Sequence, residues 1–426
     1  MVTQAVLPFK LAISRDTITA HAGLALFGEF LHALKLPALL EEALPGPGSG
    51  AGYRPAQFVL PLVLMLHGGG RALEDLRQIR EDEALRELLG LSELPSADAT
   101  GDWLRRMGAG AGLGALARVQ RLLLARGLGR EAERAFTLDI DATQIVAEKQ
   151  EARRTYQGEL GYMPIVGHLA ENGLVVGEQF RAGNESPNAR NLEFIGHCEA
   201  QMPPGTRIAH LRSDSAAYQA EIFNDCEENG RTFAIGAPLD QAVQAAITAI
   251  PEGAWRPWQN GHIAETVHTM ADTHTAFRLI VIRRPVQPDL WGHEEPSQRY
   301  TAIASNRQES AEETVGWYNR RGEASENRIK ELKIGFGMER MPCGALEANA
   351  VFFRIGALAY NLFCLFKRHV LPRGWQNHQV ETLRWRLYQA AGKVVTHAGA
   401  LFLKVAAWLF TLFEEIRTRC RELAYE

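Results

Sequence analysis

The sequence predicts a mixed α/β protein: a mixed sheet flanked by helices, behind a helical N-terminal region. Three observations predict it. Apolar residues up to about Gly129 recur at helical spacing. At Phe136 the period drops to two, and a strong hairpin signal, Asn172-Gly173, follows. Strands then alternate with helices as far as Gly236, which implies helices on the faces of a sheet that is parallel in part.

The elements follow in order. Gly23 to Leu44, Arg54 to His67, Ala72 to Leu89 and Ala97 to Met107 read as helices, separated by Gly46-Pro47-Gly48-Ser49-Gly50 and Gly68-Gly69-Gly70. Phe136 to Thr143 reads as a strand with Asp139 and Asp141 on one face. Pro164 to Ala170 and Leu174 to Phe180 read as a hairpin turning at Glu171-Asn172-Gly173. Pro187 to Ala200 suits a helix, and Arg207 to Arg212 a strand ending at Ser213-Asp214-Ser215. A helix over Ala216 to Glu227 and a strand over Thr232 to Gly236 complete the alternation. Ala237 to about Arg307, with Trp255, Trp258, Trp291 and β-branched runs, reads as a small β-rich insertion. A helix from Ser325 carries Glu326, and Ala345 to Phe366 is an apolar core helix. Lys393 to Val405 reads as a hairpin turning at His397-Ala398-Gly399, with a last helix to Tyr425.

Composition excludes several classes. The 426 residues suffice for two or three domains. The five cysteines are scattered with no C-x-x-C pair, which argues against a disulfide framework and a cysteine zinc site, and suits a reducing cytoplasm. The N-terminus shows no secretory signal pattern, and Ala398 to Phe413, broken by Lys404, is too short and charged to span a bilayer. A net charge of −4 argues mildly against a protein that coats nucleic acid. Two basic islands stand out. Asp102 to Arg134 holds seven arginines against three acids, and Lys367 to Lys393 holds six cations against Glu381. Such islands fit phosphate-binding surfaces and fit solvated helix faces equally well. The Arg-dotted N-terminal region carries no helix-turn-helix signature.

The chemistry points to carboxylates. Aspartates at the ends of neighbouring strands meet in the crevice outside the sheet's carboxyl edge. Asp141 and Asp214 are so placed, and Glu326 on a helix adds a third acid. On an α-helix Glu326, Lys330 and Lys333 share a face, one carboxylate beside two cations. Hard oxygen donors suit Mg²⁺, and two such ions roughly 3.5–4 Å apart activate a nucleophile and stabilise a leaving oxygen in phosphoryl transfer. Singly, each residue has a plainer role: Asp141 as a turn residue, Asp214 as a helix cap, Glu326 in an ion pair with Lys330. His262, His268 and His274 recur every six residues and could share a strand face for zinc, but lack a fourth ligand. The tryptophans of the insertion could stack on a splayed base, with core packing the commoner role.

The segments Leu138-Asp139-Ile140-Asp141-Ala142-Thr143 and Leu211-Arg212-Ser213-Asp214-Ser215 recur together with a third. That third segment is Tyr318-Asn319-Arg320-Arg321 leading to Glu326-Asn327-Arg328-Ile329-Lys330-Glu331-Leu332-Lys333. The pattern resembles bacterial insertion-sequence transposases of the DDE class, in the subgroup with a Tyr-Arg-Glu-Lys signature. Ala357-Leu358-Ala359-Tyr360-Asn361-Leu362 is similar to the helix that follows in that group. The resemblance runs from about Phe136 to the C-terminus. It implies an RNase H-like catalytic domain with a β-rich insertion before the Glu helix. The division is then 131–237 with 308–370 as catalytic domain, 238–307 as insertion, 1–130 as a helical DNA-binding region, and 371–426 for DNA contact or dimerisation. The resemblance implies Asp141, Asp214 and Glu326 as catalytic metal ligands, Mg²⁺ as cofactor with Mn²⁺ as a substitute, and phosphate contacts from Tyr318, Arg321 and Lys333. Lys330 joins them on helical periodicity alone. The implied partners are double-stranded DNA, as terminal inverted repeats and target, and a second copy of the chain. The implied setting is the bacterial nucleoid, with no membrane. Four residues separate Arg321 from Glu326 where the family pattern has three, so a break at Gly322 is expected to absorb the extra one. Two other readings compete: a nuclease of the same fold that cuts without joining, and a catalytically inactive DNA-binding derivative.

Overall fold

The computed structural model describes residues 9–48, 50, 52–285 and 298–425. The helical N-terminal region is built from Ala22–Ala33, Leu36–Ala43, Pro55–Gly68, Leu76–Glu81, Glu83–Leu89, Ala97–Gly108 and Gly112–Gly129. The expected single helix over Gly23 to Leu44 is two, because Lys35 adopts a left-handed conformation at φ 54°. The stretch from Ala72 to Leu89 likewise breaks, at Asp82, whose carboxylate caps the second piece by accepting from Leu85 N at 2.9 Å.

Nine strands of the described residues pair into one sheet. They are β1 (Ala135–Ala142), β2 (Ile165–Leu169), β3 (Val175–Gln179), β4 (Arg207–Ser213) and β5 (Thr232–Ala237), then β6 (Arg256–Trp258), β7 (Gly261–His268), β8 (Phe277–Pro285) and β9 (Gln298–Ser305). Their order across the sheet is 6-7-8-9-5-4-1-2-3. β1, β4 and β5 are parallel neighbours, and every other pairing is antiparallel. The strands expected to form a separate insertion therefore extend the main sheet through β9 against β5. Of its tryptophans, Trp255 packs in a local apolar core under Arg283, whose guanidinium lies 4.3 Å from the ring centre. Trp258 is half-buried against neighbouring aliphatic side chains, and Trp291 lies outside the described residues. The sequence reading missed a small three-stranded sheet (Ile145–Val146, Arg153–Arg154, Leu160–Tyr162) and blurred the start of one helix, which runs Asn191–Gln201. Two- and three-residue strands carry too little periodicity to register.

The helix Leu346–His369 is the spine of the core. It is long and apolar enough to cross a membrane, but 94% of that stretch is buried inside the protein. It packs on the N-terminal helices and on the outer edge of β3. There Asn361 stands in for a missing strand. Its Oδ1 accepts from Val175 N at 2.8 Å and its Nδ2 donates to Val175 O at 2.7 Å, which satisfies backbone groups on an edge strand. The C-terminal hairpin Gly392–His397 and Ala400–Val405 turns at Ala398 and Gly399, both with positive φ, and Thr17–Thr19 pairs along its first strand.

Candidate active site

β1 and β4 run parallel with Asp139 opposite Arg212. Two positions further on come Asp141, still on β1, and Asp214, the first residue past the end of β4. The sheet thus brings two aspartates level at its carboxyl edge, one pleat beyond a buried ion pair. Asp139 is fully buried and spoken for. Arg212 grips it with Nε on Oδ1 at 2.7 Å and Nη2 on Oδ2 at 2.8 Å. The third arm of Arg212, Nη1, donates to the Trp317 carbonyl at 2.7 Å. His168 sits across β2 with Nε2 3.8 Å from Asp139; burial, then nearby arginines, hold its pKa well below the usual imidazole range. Of the two aspartates the sequence left on one face, Asp141 is the one with a carboxylate open to further chemistry.

Trp317 belongs to the helix Ala311–Lys330, which begins well before the expected Ser325. Ser310 caps it, accepting from Glu313 N at 3.2 Å, and Glu313 reaches back to Ser310 N. The helix runs unbroken through Gly322, so no break absorbs the extra residue between Arg321 and Glu326. Arg321 nevertheless reaches the site: Nη2 lies 3.5 Å from Asp141 Oδ2 and donates to the Ile140 carbonyl at 3.3 Å. Its long side chain spans the offset that helix rotation introduces. Tyr318 sits one turn back, half-buried, and a Cβ on Gly236 would stand 3.0 Å from its hydroxyl. Burial raises the Tyr318 pKa, opposed by Arg321 and reinforced by Asp214 and Asp141.

The helix is tied to the sheet along its length. Beyond Arg212 and Arg321, Arg328 donates to the Leu169 and Ala170 carbonyls at 3.0 and 2.7 Å, gripping the β2–β3 turn. That turn needs Gly173, whose φ is 80° and whose added Cβ would meet Arg328 Nε at 3.2 Å. After Lys330 the helix widens into a π-helical turn, Glu331–Gly335. Lys333 on it donates to Thr143 Oγ1 at 3.0 Å and the Gln144 carbonyl at 2.7 Å, and burial lowers its pKa. Lys330 is exposed.

Asp214 and Glu326 both come into electrostatic range of Asp141. Asp141 has its pKa pushed up to about 6, first by burial, against the pull of Arg321, and further by the charges of Asp214 and Glu326. Asp214 Oδ1 accepts from Ala216 N at 3.0 Å, so the capping role and the strand-end position coexist. Glu326 is exposed on the helix. Among the described residues no three His, Cys, Asp or Glu side chains close to metal-chelating distance as they stand. The histidines fail for a plain reason: His262 and His268 stand at opposite ends of β7, about 20 Å apart by strand rise, and His274 pairs with Glu228 at 3.5 Å.

The family model for the transposase DDE domain, group 1, matches residues 8–423. The chain belongs to that family. DDE transposases are DNA-rearranging enzymes that generally use divalent metal ions. No curated protein matches the sequence. Among solved structures, the chain is similar to the cryo-EM structure of a piggyBac transposase synaptic complex with hairpin DNA. The two share 11% identity at a TM-score of 0.48, over 88% of this chain and 82% of the other. In this DDE transposase the family match spans the helical N-terminal region as well as the sheet, further than the motifs carry it.

Proposed function

We propose that this chain is a cut-and-paste transposase of the insertion-sequence type with a Tyr-Arg-Glu-Lys signature. It cuts DNA at the ends of its element and joins them to target DNA. The observation that carries the reading is the parallel pairing of β1 with β4, which sets the carboxylates of Asp141 and Asp214 at one sheet edge, beside the Glu326 helix whose Arg321 comes within 3.5 Å of Asp141. Crowded carboxylates repel, and a hard divalent cation relieves that repulsion. The donors are all oxygens, which suits Mg²⁺ or Mn²⁺. The sheet order 3-2-1-4-5 within the larger sheet, with a hairpin leading into parallel strands, supports an RNase H-like catalytic domain.

Asp141, Asp214 and Glu326 would hold the metal. When bound, it would activate the attacking oxygen and neutralise the leaving one. The chain's own residues do the rest. Arg321, held at the strand end by the Ile140 carbonyl, presents a guanidinium beside Asp141 suited to a phosphate oxygen. Tyr318 offers a hydroxyl on the same helix face. Lys333, hydrogen-bonded to Thr143, places a cation at the carboxyl end of β1, the end that carries Asp141. The partners are then terminal inverted repeats, target DNA and a second copy of the chain.

The test is a joining assay. Labelled inverted-repeat DNA, a target plasmid and Mg²⁺ should yield joined product, and Glu326→Gln should abolish both cutting and joining. Cleavage without joined product would make the protein a nuclease. Wild-type cutting by Glu326→Gln would remove the catalytic assignment.

A further inference from the structure

Trp385 is 82% exposed, an unusual place for a large aromatic residue. It is not on a loose loop. It lies on a π-helical turn, Arg384–Tyr388, between a buried arginine and buried Leu387 and Tyr388. Arg384 locks the turn by donating to the carbonyls of His67 at 2.9 Å, Leu66 at 2.6 Å and Gly335 at 2.7 Å, and to Glu381 at 2.8 Å. The indole is therefore held out on a rigid base at little entropic cost.

The segment that carries it is cationic and aromatic. Arg386 is exposed, stacks 5.0 Å from the Trp375 ring centre and contacts His378 Nε2 at 3.0 Å. Trp375 and His378 meet edge to face at 5.6 Å, and Arg373 is exposed two residues away. The one acid of the segment, Glu381, is engaged by Arg384. The turn is also bonded to the catalytic helix. Gly335 accepts from Arg384, and Glu331 accepts from Val380 N at 2.6 Å; both belong to the π-helical turn that carries Lys333.

We propose that Trp385, followed in the chain by the exposed Arg386, is a stacking platform for an unpaired nucleobase of DNA bound at the candidate active site. Every base offers a π-face to an indole, and adjacent guanidiniums take the backbone phosphates. The local excess of positive charge favours nucleic acid over an acid-poor protein surface. This inference rests on the DNA-processing reading above.

The test uses the full-length protein and two fluorescein-labelled probes: a single-stranded 12-mer and its blunt duplex, read by anisotropy. Trp385→Ala should weaken single-strand binding about tenfold while changing duplex binding less than twofold. Trp385→Phe should keep most of the affinity, and Arg386→Gln should flatten its salt dependence. Equal binding by Trp385→Ala and wild type would overturn the platform but leave the transposase reading standing. A change of oligomeric state in Trp385→Ala with unchanged DNA binding would assign the surface to protein and also overturn it. Failure of wild type to bind either probe would sink the transposase reading itself.

Discussion

Asp139 and Asp141 stand two positions apart on one strand face, yet their neighbours give them opposite work. Asp139 is neutralised by a bidentate arginine in the interior. Asp141 meets a partner at 3.5 Å and two like charges. Linkage turns this into a prediction. The folded state holds the Asp141 proton up to about pH 6, whereas the unfolded chain releases it near 3.8. Between those values the folded state binds more protons, so wild-type stability falls as pH rises from about 4 to about 6 and stays lower above. The penalty is about 3 kcal/mol at neutral pH. Asp141→Asn should therefore stabilise metal-free protein at pH 8 by up to that amount, a figure that already includes the pull of Arg321, and bring little at pH 4. Urea denaturation at the two pH values measures it. Adding Mn²⁺ at pH 8 should raise the melting temperature of wild type and not of Asp141→Asn, because only a site present in the folded state shifts the equilibrium. Gly236 supplies a second residue-scale test. Gly236→Val pushes a branched side chain at the Tyr318 hydroxyl and at the Ser215 backbone beside Asp214, and should lower cleavage.

At the scale of elements, the helix Ala311–Lys330 is placed by polar ties rather than by propensity. Trp317, Arg321 and Arg328 link it to β1, β4 and the β2–β3 turn, and Lys333 continues the series past its end. Arg212 is the most buried of these links. Arg212→Met leaves the Asp139 charge unpaired in the interior and should cost about 3–5 kcal/mol. The double variant Asp139→Leu/Arg212→Met removes both charges and should recover most of that loss in chemical denaturation. It still lacks the tie to Trp317, so cleavage should remain depressed although the fold is restored. Asn361→Leu should likewise cost about 1–3 kcal/mol by removing the side-chain amide from both backbone groups of Val175, a buried edge position whose carbonyl keeps the Gln120 Nε2 donor at 3.2 Å.

At the scale of the whole molecule, one buried helix joins the N-terminal bundle to the sheet. Leu358 is 1% exposed at its centre, and Leu358→Ala should cost about 2–5 kcal/mol in a single cooperative loss. The basic islands look different once folded. Arg118 and Arg134 donate to backbone carbonyls of their own region, Arg368 pairs with Glu131, and Lys367 is half-buried over the Phe363 ring. Much of that charge braces helices, and only part remains to meet phosphate. The periodicity change at Phe136, the hairpin at Asn172-Gly173 and the strand-end aspartates were legible in the sequence because each rests on neighbours a few residues apart. The residues proposed for the candidate site were also named from the sequence. Their separate fates were not: that Asp139 serves Arg212, that Arg321 reaches Asp141 from an unbroken helix, and that the strands after Ala237 extend one sheet. Local spacing fixes which residues share a face. Which of them is neutralised, desolvated or left open depends on partners 70 to 190 positions away in the chain, and only the folded structure brings those together.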